Sequence, residues 1–242
     1  MECAGDTRQV RAPGQPCSRK SAAPPVSRML RTLQPELLDS LPHDHPDALH
    51  NRRDLRLTNQ IIGNHRWLAR TLPPLIRPGE RTLELGAGTG ELGRRLVARG
   101  VTVDGLDRWP RPDDWAATGR WHVGDLRTFE GYADYAVVVG NLIFHQFSDA
   151  ELAALGEKLR ASVRVIVACE PARRRISQVL YRALAPLCGA GAVSLHDAHV
   201  SIAAGFRGTE LPDALQLPRG EWKIRCHATA LGAYRMVAER QP

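Results

Sequence analysis

Residues 81–100 read RTLELGAGTGELGRRLVARG, and this stretch decides how the chain is organised. Arg81–Leu85 has the apolar, branched character of a short buried strand, and a helical pattern begins at about Gly90 and closes at Gly100. Between them lie Gly86, Gly88 and Gly90. Without a Cβ, these residues let the backbone turn sharply and let a ligand approach it closely. Gly88-x-Gly90-x-x-Gly93 also satisfies the dinucleotide fingerprint, so the glycines alone leave the ligand open. Glu84 separates the alternatives: a carboxylate beside the turn repels a pyrophosphate and suits a ligand that carries an ammonium group.

Working outward, Leu55, Ile61, Ile62, Leu68 and Leu72 recur at helical spacing, which predicts a helix over Asp54–Leu72 ended by Pro73-Pro74. VTVDGLD (101–107), RWHVGD (120–125), Asp134–Gly140 and Val163–Cys169 predict four further strands. Ser148-x-x-Glu151 is a capping box for a helix that carries Leu152, Leu155 and Leu159. Ile176, Val179, Leu180, Ala183, Leu184 and Leu187 trace another helical stripe, and Trp222–Ala228 with Ala233–Ala238 suits an antiparallel hairpin. Continuous apolar strands that alternate with amphipathic helices imply a parallel sheet covered on both faces. The expected architecture is α/β: a Rossmann-like, doubly wound, mostly parallel seven-stranded sheet with a terminal antiparallel hairpin and an N-terminal helical cap. Its expected divisions are a disordered tail at 1–28, the cap at 29–77 and the ligand-binding domain at 78–242. Met29 is an alternative start of translation.

Glu84-x-Gly86-x-Gly88-x-Gly90 after a first strand resembles motif I of the class I S-adenosylmethionine-dependent methyltransferases, in particular quinone-biosynthesis-type small-molecule enzymes. The resemblance covers roughly residues 80–171. It implies that Asp107, at the end of the second strand, takes both ribose hydroxyls. It also implies that Asp125 receives the adenine amino group, that Leu126 offers a backbone amide, and that Asn141 and the segment to Phe147 face the methionine moiety. S-adenosylmethionine is therefore the expected cofactor. An NAD-dependent oxidoreductase is the competing reading of the glycine pattern.

A sulfonium methyl is already activated, so the protein must chiefly align the acceptor and exclude water. A hydroxyl acceptor gains from a general base, whereas an enol or phenolate carbon needs only positioning. His145, after the fourth strand, is one candidate base; a packing role is its alternative. His196 is another, beside Asp197 and one helical turn from His199. These three are read either as acceptor contacts or as a helix cap with surface histidines; a metal site is a weaker alternative, and no metal is expected. Asn59, Gly63, Asn64 and Trp67 are expected to pack over the cofactor site, with Trp67 a candidate acceptor contact. Arg173-Arg174-Arg175 and Arg207 either neutralise an acidic acceptor or form a solvated face.

The 242 residues carry a net charge of +7, of which the segment 1–28 supplies +3 through five Lys/Arg against Glu2 and Asp6. The remainder implies no nucleic-acid partner. The five cysteines form no Cys-x-x-Cys pair, which argues against zinc and against a disulfide framework and fits a reducing, cytoplasmic setting. No secretory signal and no membrane span are visible. The expected activity is methyl transfer to a small phenolic, quinone-like or polyketide oxygen or carbon by a monomer or homodimer. The alternatives are an RNA or protein methyltransferase and a non-catalytic cofactor-binding subunit.

Overall fold

A computed structural model describes residues 1, 29–115 and 119–242; apart from Met1, the segment 1–28 expected to be a tail lies outside the described residues. From Met29 to Glu36 the chain has no regular secondary structure and is strapped across the protein, with Thr32 N donating to Ala203 O at 3.3 Å. Helix α1 (Pro46–Ile62) opens on His45, whose Nδ1 accepts from Asp47 N, and on a proline at its first turn, where the missing N–H costs nothing. Helix α2 (Asn64–Thr71) follows at once. The sequence predicts one helix here, but Gly63 sits at φ +71° and breaks it. A left-handed residue ends the helical hydrogen-bond ladder, and glycine adopts it at little cost. The re-aimed α2 buries Leu68 and Leu72, while Leu55 and Ile61 stay exposed.

The remaining elements are β1 (Thr82–Leu85), α3 (Glu91–Val97), β2 (Val103–Asp107), β3 (Trp121–Val123) and β4 (Val137–Asn141). Then come α4 (Asp149–Ser162), β5 (Val165–Pro171), α5 (Arg175–Leu184), α6 (Ala192–Ala204), α7 (Glu210–Ala214), β6 (Trp222–Ala228) and β7 (Ala233–Arg240). The seven strands form one sheet in the order β3-β2-β1-β4-β5-β7-β6, with β7 antiparallel to both neighbours and the rest parallel. The capping box that starts α4 is present in both directions between Ser148 and Glu151.

β1, β2, β4 and β5 alternate between two buried faces. Leu83, Leu85, Val138 and Ile166 pack with Leu152, Leu155 and Leu159 of α4 and with Leu211 of α7. Val103, Val137, Val139 and Val167 pack with Leu68 and Leu72 of α2 and Leu92 and Leu96 of α3. Burial on both faces is why these strands are apolar throughout. Thr82, Glu84, Asp104 and Glu170 are the buried polar exceptions within them. The chain leaves β1 toward β2 and β3, then crosses to β4 on the other side. A crevice opens outside the strand ends where the winding reverses. No helix among the described residues is long and apolar enough to cross a membrane.

Candidate functional site

A cleft of about 360 Å³ lies at that reversal, walled by the carboxyl ends of β1, β2 and β4 and by residues of α1. It is lined by Glu84, Gly86, Gly88, Asp107, Asp125, Leu126 and Asn141, which the sequence had separated by up to 57 positions. Gly86 sits at φ +61°, and a Cβ there would meet Ile143 Cδ1 at 2.7 Å. Gly90 sits at φ +75°, and its Cβ would lie 2.8 Å from the Trp115 ring. Both positions therefore require glycine for conformation and for space.

Asp107 holds the glycine turn: its Oδ2 accepts from Gly88 N at 2.8 Å and its Oδ1 from Trp109 N at 3.0 Å. A carboxylate has about four acceptor sites, so each oxygen keeps one for a ligand hydroxyl. Asp125 is engaged by Arg127, which donates its backbone N (2.8 Å) and Nε (3.0 Å) to Oδ1 and Nη2 (2.6 Å) to Oδ2. These bonds to Arg127 hold the Asp125 carboxyl below its ordinary range. One acceptor site on Oδ2 remains, enough for a single amino group.

Glu84 points beneath the start of α3, where the absence of a side chain at Gly93 lets helix and strand approach closely; a Cβ there would be 3.0 Å from Glu84 Oε2. Its Oε2 is buried and has no hydrogen-bond partner among the described residues. Burial, and then the nearby Asp107 and Glu91, raise its pKa well above the carboxylate range. A cation reaching this wall of the cleft would relieve both effects.

Asn141 ends β4 at the centre of a polar network. Its Nδ2 donates to Asn59 Oδ1 at 3.1 Å, and its Oδ1 accepts from Asn64 Nδ2 at 3.1 Å. His65 Nε2 lies 3.4 Å from the same Nδ2 and also lines the cleft. Burial lowers the His65 pKa to about 4, so the imidazole is neutral. Asn59 and Asn64 are expected near this site from the sequence, whereas His65 is not. Its signal was faint: one histidine on a helix next to the Gly63 break.

His145 is buried between two carboxylates. Its Nδ1 lies 2.6 Å from Glu170 Oε2 and its Nε2 lies 3.1 Å from Glu36 Oε1. Burial opposes a charge on the ring, but the ion pairs and hydrogen bonds to Glu170 and Glu36 prevail and raise its pKa to about 10. With both nitrogens donating, this imidazolium has no lone pair for proton abstraction. Glu170, fully buried at the end of β5, also accepts from the backbone N of Ile143 and Phe144 at 3.0 Å each and of His145 at 3.2 Å. Glu36 accepts further bonds from Ser201 Oγ and Gln146 Nε2. The triad thus ties the loop after β4 to the N-terminal strap and to α6. Beside it lies a second cavity of about 280 Å³, which shares Asp39 and Gln146 with the first.

His196, Asp197 and His199 line neither cavity. His196 and His199 are exposed on α6. Asp197 is buried and accepts from Leu37 N (2.7 Å), Leu38 N (3.1 Å) and Asn51 Nδ2 (3.1 Å), so it anchors the strap and α1. Trp67 packs away from the cleft, edge-on to His227 and under Arg235. Of the arginine run, Arg173 is buried and clamps Met29 O, Gly205 O and Glu210. Among the described residues no cluster of His, Cys, Asp and Glu is arranged to hold a metal ion.

No family model matches the sequence, and no curated protein is similar to it in sequence. Solved structures are similar in fold. The plantazolicin methyltransferase BpumL in complex with a monoazolic desmethylPZN analogue and SAH superposes with a TM-score of 0.65 at 11% identity, over 84% of this chain and 92% of that one. The pyocyanin biosynthetic protein PhzM superposes at 0.56 with 19% identity, over 82% of this chain and 60% of its own. Human N-acetylserotonin methyltransferase in complex with SAM gives 0.56 at 12% identity, over 84% and 61%. Strand order, the glycine turn and these superpositions agree: the chain has the class I S-adenosylmethionine-dependent methyltransferase fold.

Proposed function

We propose that this protein transfers a methyl group from S-adenosylmethionine to a small-molecule oxygen or carbon nucleophile. One observation carries the reading. A single cleft gathers a glycine turn, an acid with two spare acceptor sites, a second acid with one, and a buried carboxyl that keeps one oxygen, Glu84 Oε2, without a side-chain or backbone partner at hydrogen-bond geometry among the described residues. That set complements a diol, an amino group and a cation in turn, and the cleft volume is in the range that encloses a ligand of this size. The anionic pyrophosphate of a nicotinamide dinucleotide would need a positive or neutral wall beside β1, where this chain has Glu84. In this reading Asp107 holds the ribose hydroxyls, Asp125 and Leu126 the adenine, and Glu84, Gly86, Gly88 and Asn141 the amino-acid end. The bound cofactor supplies an activated methyl.

The chain's own residues position and desolvate. His145, charged and doubly paired, acts as a positioning residue that holds residues 143–146 against the strap. His65 is neutral but a weak proton acceptor, so an acceptor that ionises on its own, such as a phenol or enol, suits the site. The acceptor is assigned to the adjoining cavity, which meets the cleft at Asp39 and Gln146.

The rim speaks for a small acceptor over RNA. Arg56 pairs with Glu91, Arg108 with Asp39, and Arg127 with Asp125 and Glu151, while Arg52 lies 3.5 Å over the Trp109 ring. Compensated arginines make no continuous track for a phosphate backbone.

A thermal melt with S-adenosylmethionine, S-adenosylhomocysteine and NAD tests the cofactor. Ligand at about 100 times its Kd stabilises the fold by about 2.7 kcal/mol, or roughly 5–10 °C for a domain of this size. A shift with NAD alone would sink the proposal. Transfer of labelled methyl into a cell extract then identifies the acceptor. With that acceptor, Leu33→Trp, which narrows the second cavity from the strap, should raise KM and leave the cofactor shift intact.

A further inference from the structure

We propose that the outward face of α5 and the turn after it dock on an anionic lipid bilayer, seating the protein peripherally on a membrane surface. Ile176, Val179, Leu180 and Leu184 on α5, with Leu187 in the 3-10 turn Ala185–Cys188, are between 49% and 81% exposed. Their spacing places them along one side of the helix. Ser177, Gln178 and Tyr181, between them, turn toward the protein instead. Gln178 Nε2 donates to His199 O at 2.9 Å, Tyr181 Oη lies 3.4 Å from Thr58 Oγ1, and Ser177 packs against Gly232. No residue of α5 is buried. A helix covering a protein core has the opposite arrangement, apolar side in and polar side out.

The apolar face does not stop with the helix. Arg174 Nη1 donates to Thr229 O at 3.1 Å, which brings the β6–β7 turn alongside, and Leu231 in that turn is also exposed. A contiguous exposed apolar patch marks a contact surface.

Charge selects the occupant. From Ala172 to Leu195 there is no Asp or Glu but there are four arginines. Arg173 is taken up internally by Glu210, which leaves Arg174, Arg175 and Arg182 around the apolar face, with Arg175 and Arg182 exposed on its flank. A second copy of this chain would bring the same positive flank against itself. Residues 1–28, which carry +3, match it no better. An anionic bilayer satisfies both demands: the branched side chains enter the headgroup boundary and the arginines extend to the phosphates.

The test uses the full chain and vesicles of phosphatidylcholine alone or with phosphatidylglycerol, at low and high salt. The protein should co-sediment with the anionic vesicles, more weakly at high salt. Val179→Asp/Leu180→Asp should reduce partitioning at least about tenfold, and Arg175→Gln and Arg182→Gln about fivefold each. These side chains are exposed, so each variant should melt with the wild type, which checks that folding is retained. Absence of binding, or binding indifferent to the double variant, overturns the proposal. So does a wild-type dimer that Val179→Asp/Leu180→Asp dissolves without any vesicle binding. Binding that emerges only after residues 1–28 are deleted assigns the face to that segment and overturns it equally.

Discussion

Replacing His145 with glutamine removes the cation between two buried carboxylates. Loss of one member of a buried ion pair costs about 3–5 kcal/mol, because the partners keep their charge without compensation. The charge state adds a sharper signature. The folded pKa, about 10, lies above the unfolded value of about 6.5. A raised folded pKa contributes stability that is fully present below about pH 6.5 and is lost as pH rises through about 10. Between about pH 7 and pH 9 the wild type should therefore lose about 2.5 kcal/mol that His145→Gln does not lose. Urea unfolding followed by tryptophan fluorescence, run on both proteins at both pH values, gives this difference of differences, and titrations common to the two cancel. If the cost of His145→Gln stays constant within about 0.5 kcal/mol, the ring is neutral in the folded protein. The positioning role would then fall, and His145 would return as a candidate base.

Asp107→Ala should weaken S-adenosylmethionine binding roughly tenfold to a hundredfold by isothermal calorimetry, through lost bonds to a charged acceptor. It should also lower the ligand-free melt, since Gly88 N and Trp109 N lose their partner. Gly156→Ala should destabilise by about 2–3 kcal/mol, read as a melt lowered by roughly 5–10 °C. Its Cβ would stand 2.0 Å from the Leu215 carbonyl oxygen, and backbone cannot rotate aside as a side chain can. His196→Ala should change neither the cofactor-induced shift nor turnover more than about twofold, because the side chain is exposed and lines neither cavity. A tenfold loss of turnover would bring α6 back into the site.

The glycine-turn side of the cleft was readable along the chain because it is built from local patterns. A glycine turn, an acid ending a strand and a capping box at Ser148 each depend on residues within a few positions of one another. The continuous apolar runs of β4 and β5 then announce a sheet buried on both faces. The polar networks that join distant segments were not readable in this way. His145 and Glu36 are 109 positions apart, and Asn141 and Asn59 are 82 apart. Neither pair leaves a mark in periodicity, since each partner sits in a segment whose local pattern serves another purpose. The same holds for Asp197, which reads locally as a companion to His196 and in space anchors Leu37, Leu38 and Asn51.

What the sequence determined by itself was the order of the seven strands and the residues at the strand ends, because short-range sterics and burial periodicity are written in adjacent residues. Tertiary structure alone decided three things. It set the charge on His145, which depends on two carboxylates brought in from elsewhere; the break at Gly63, whose left-handed turn lets α2 pack on the sheet; and the direction of the α5 stripe. A helical period says that a helix has an apolar side, and only the packing of its neighbours says whether that side faces the core or the solvent.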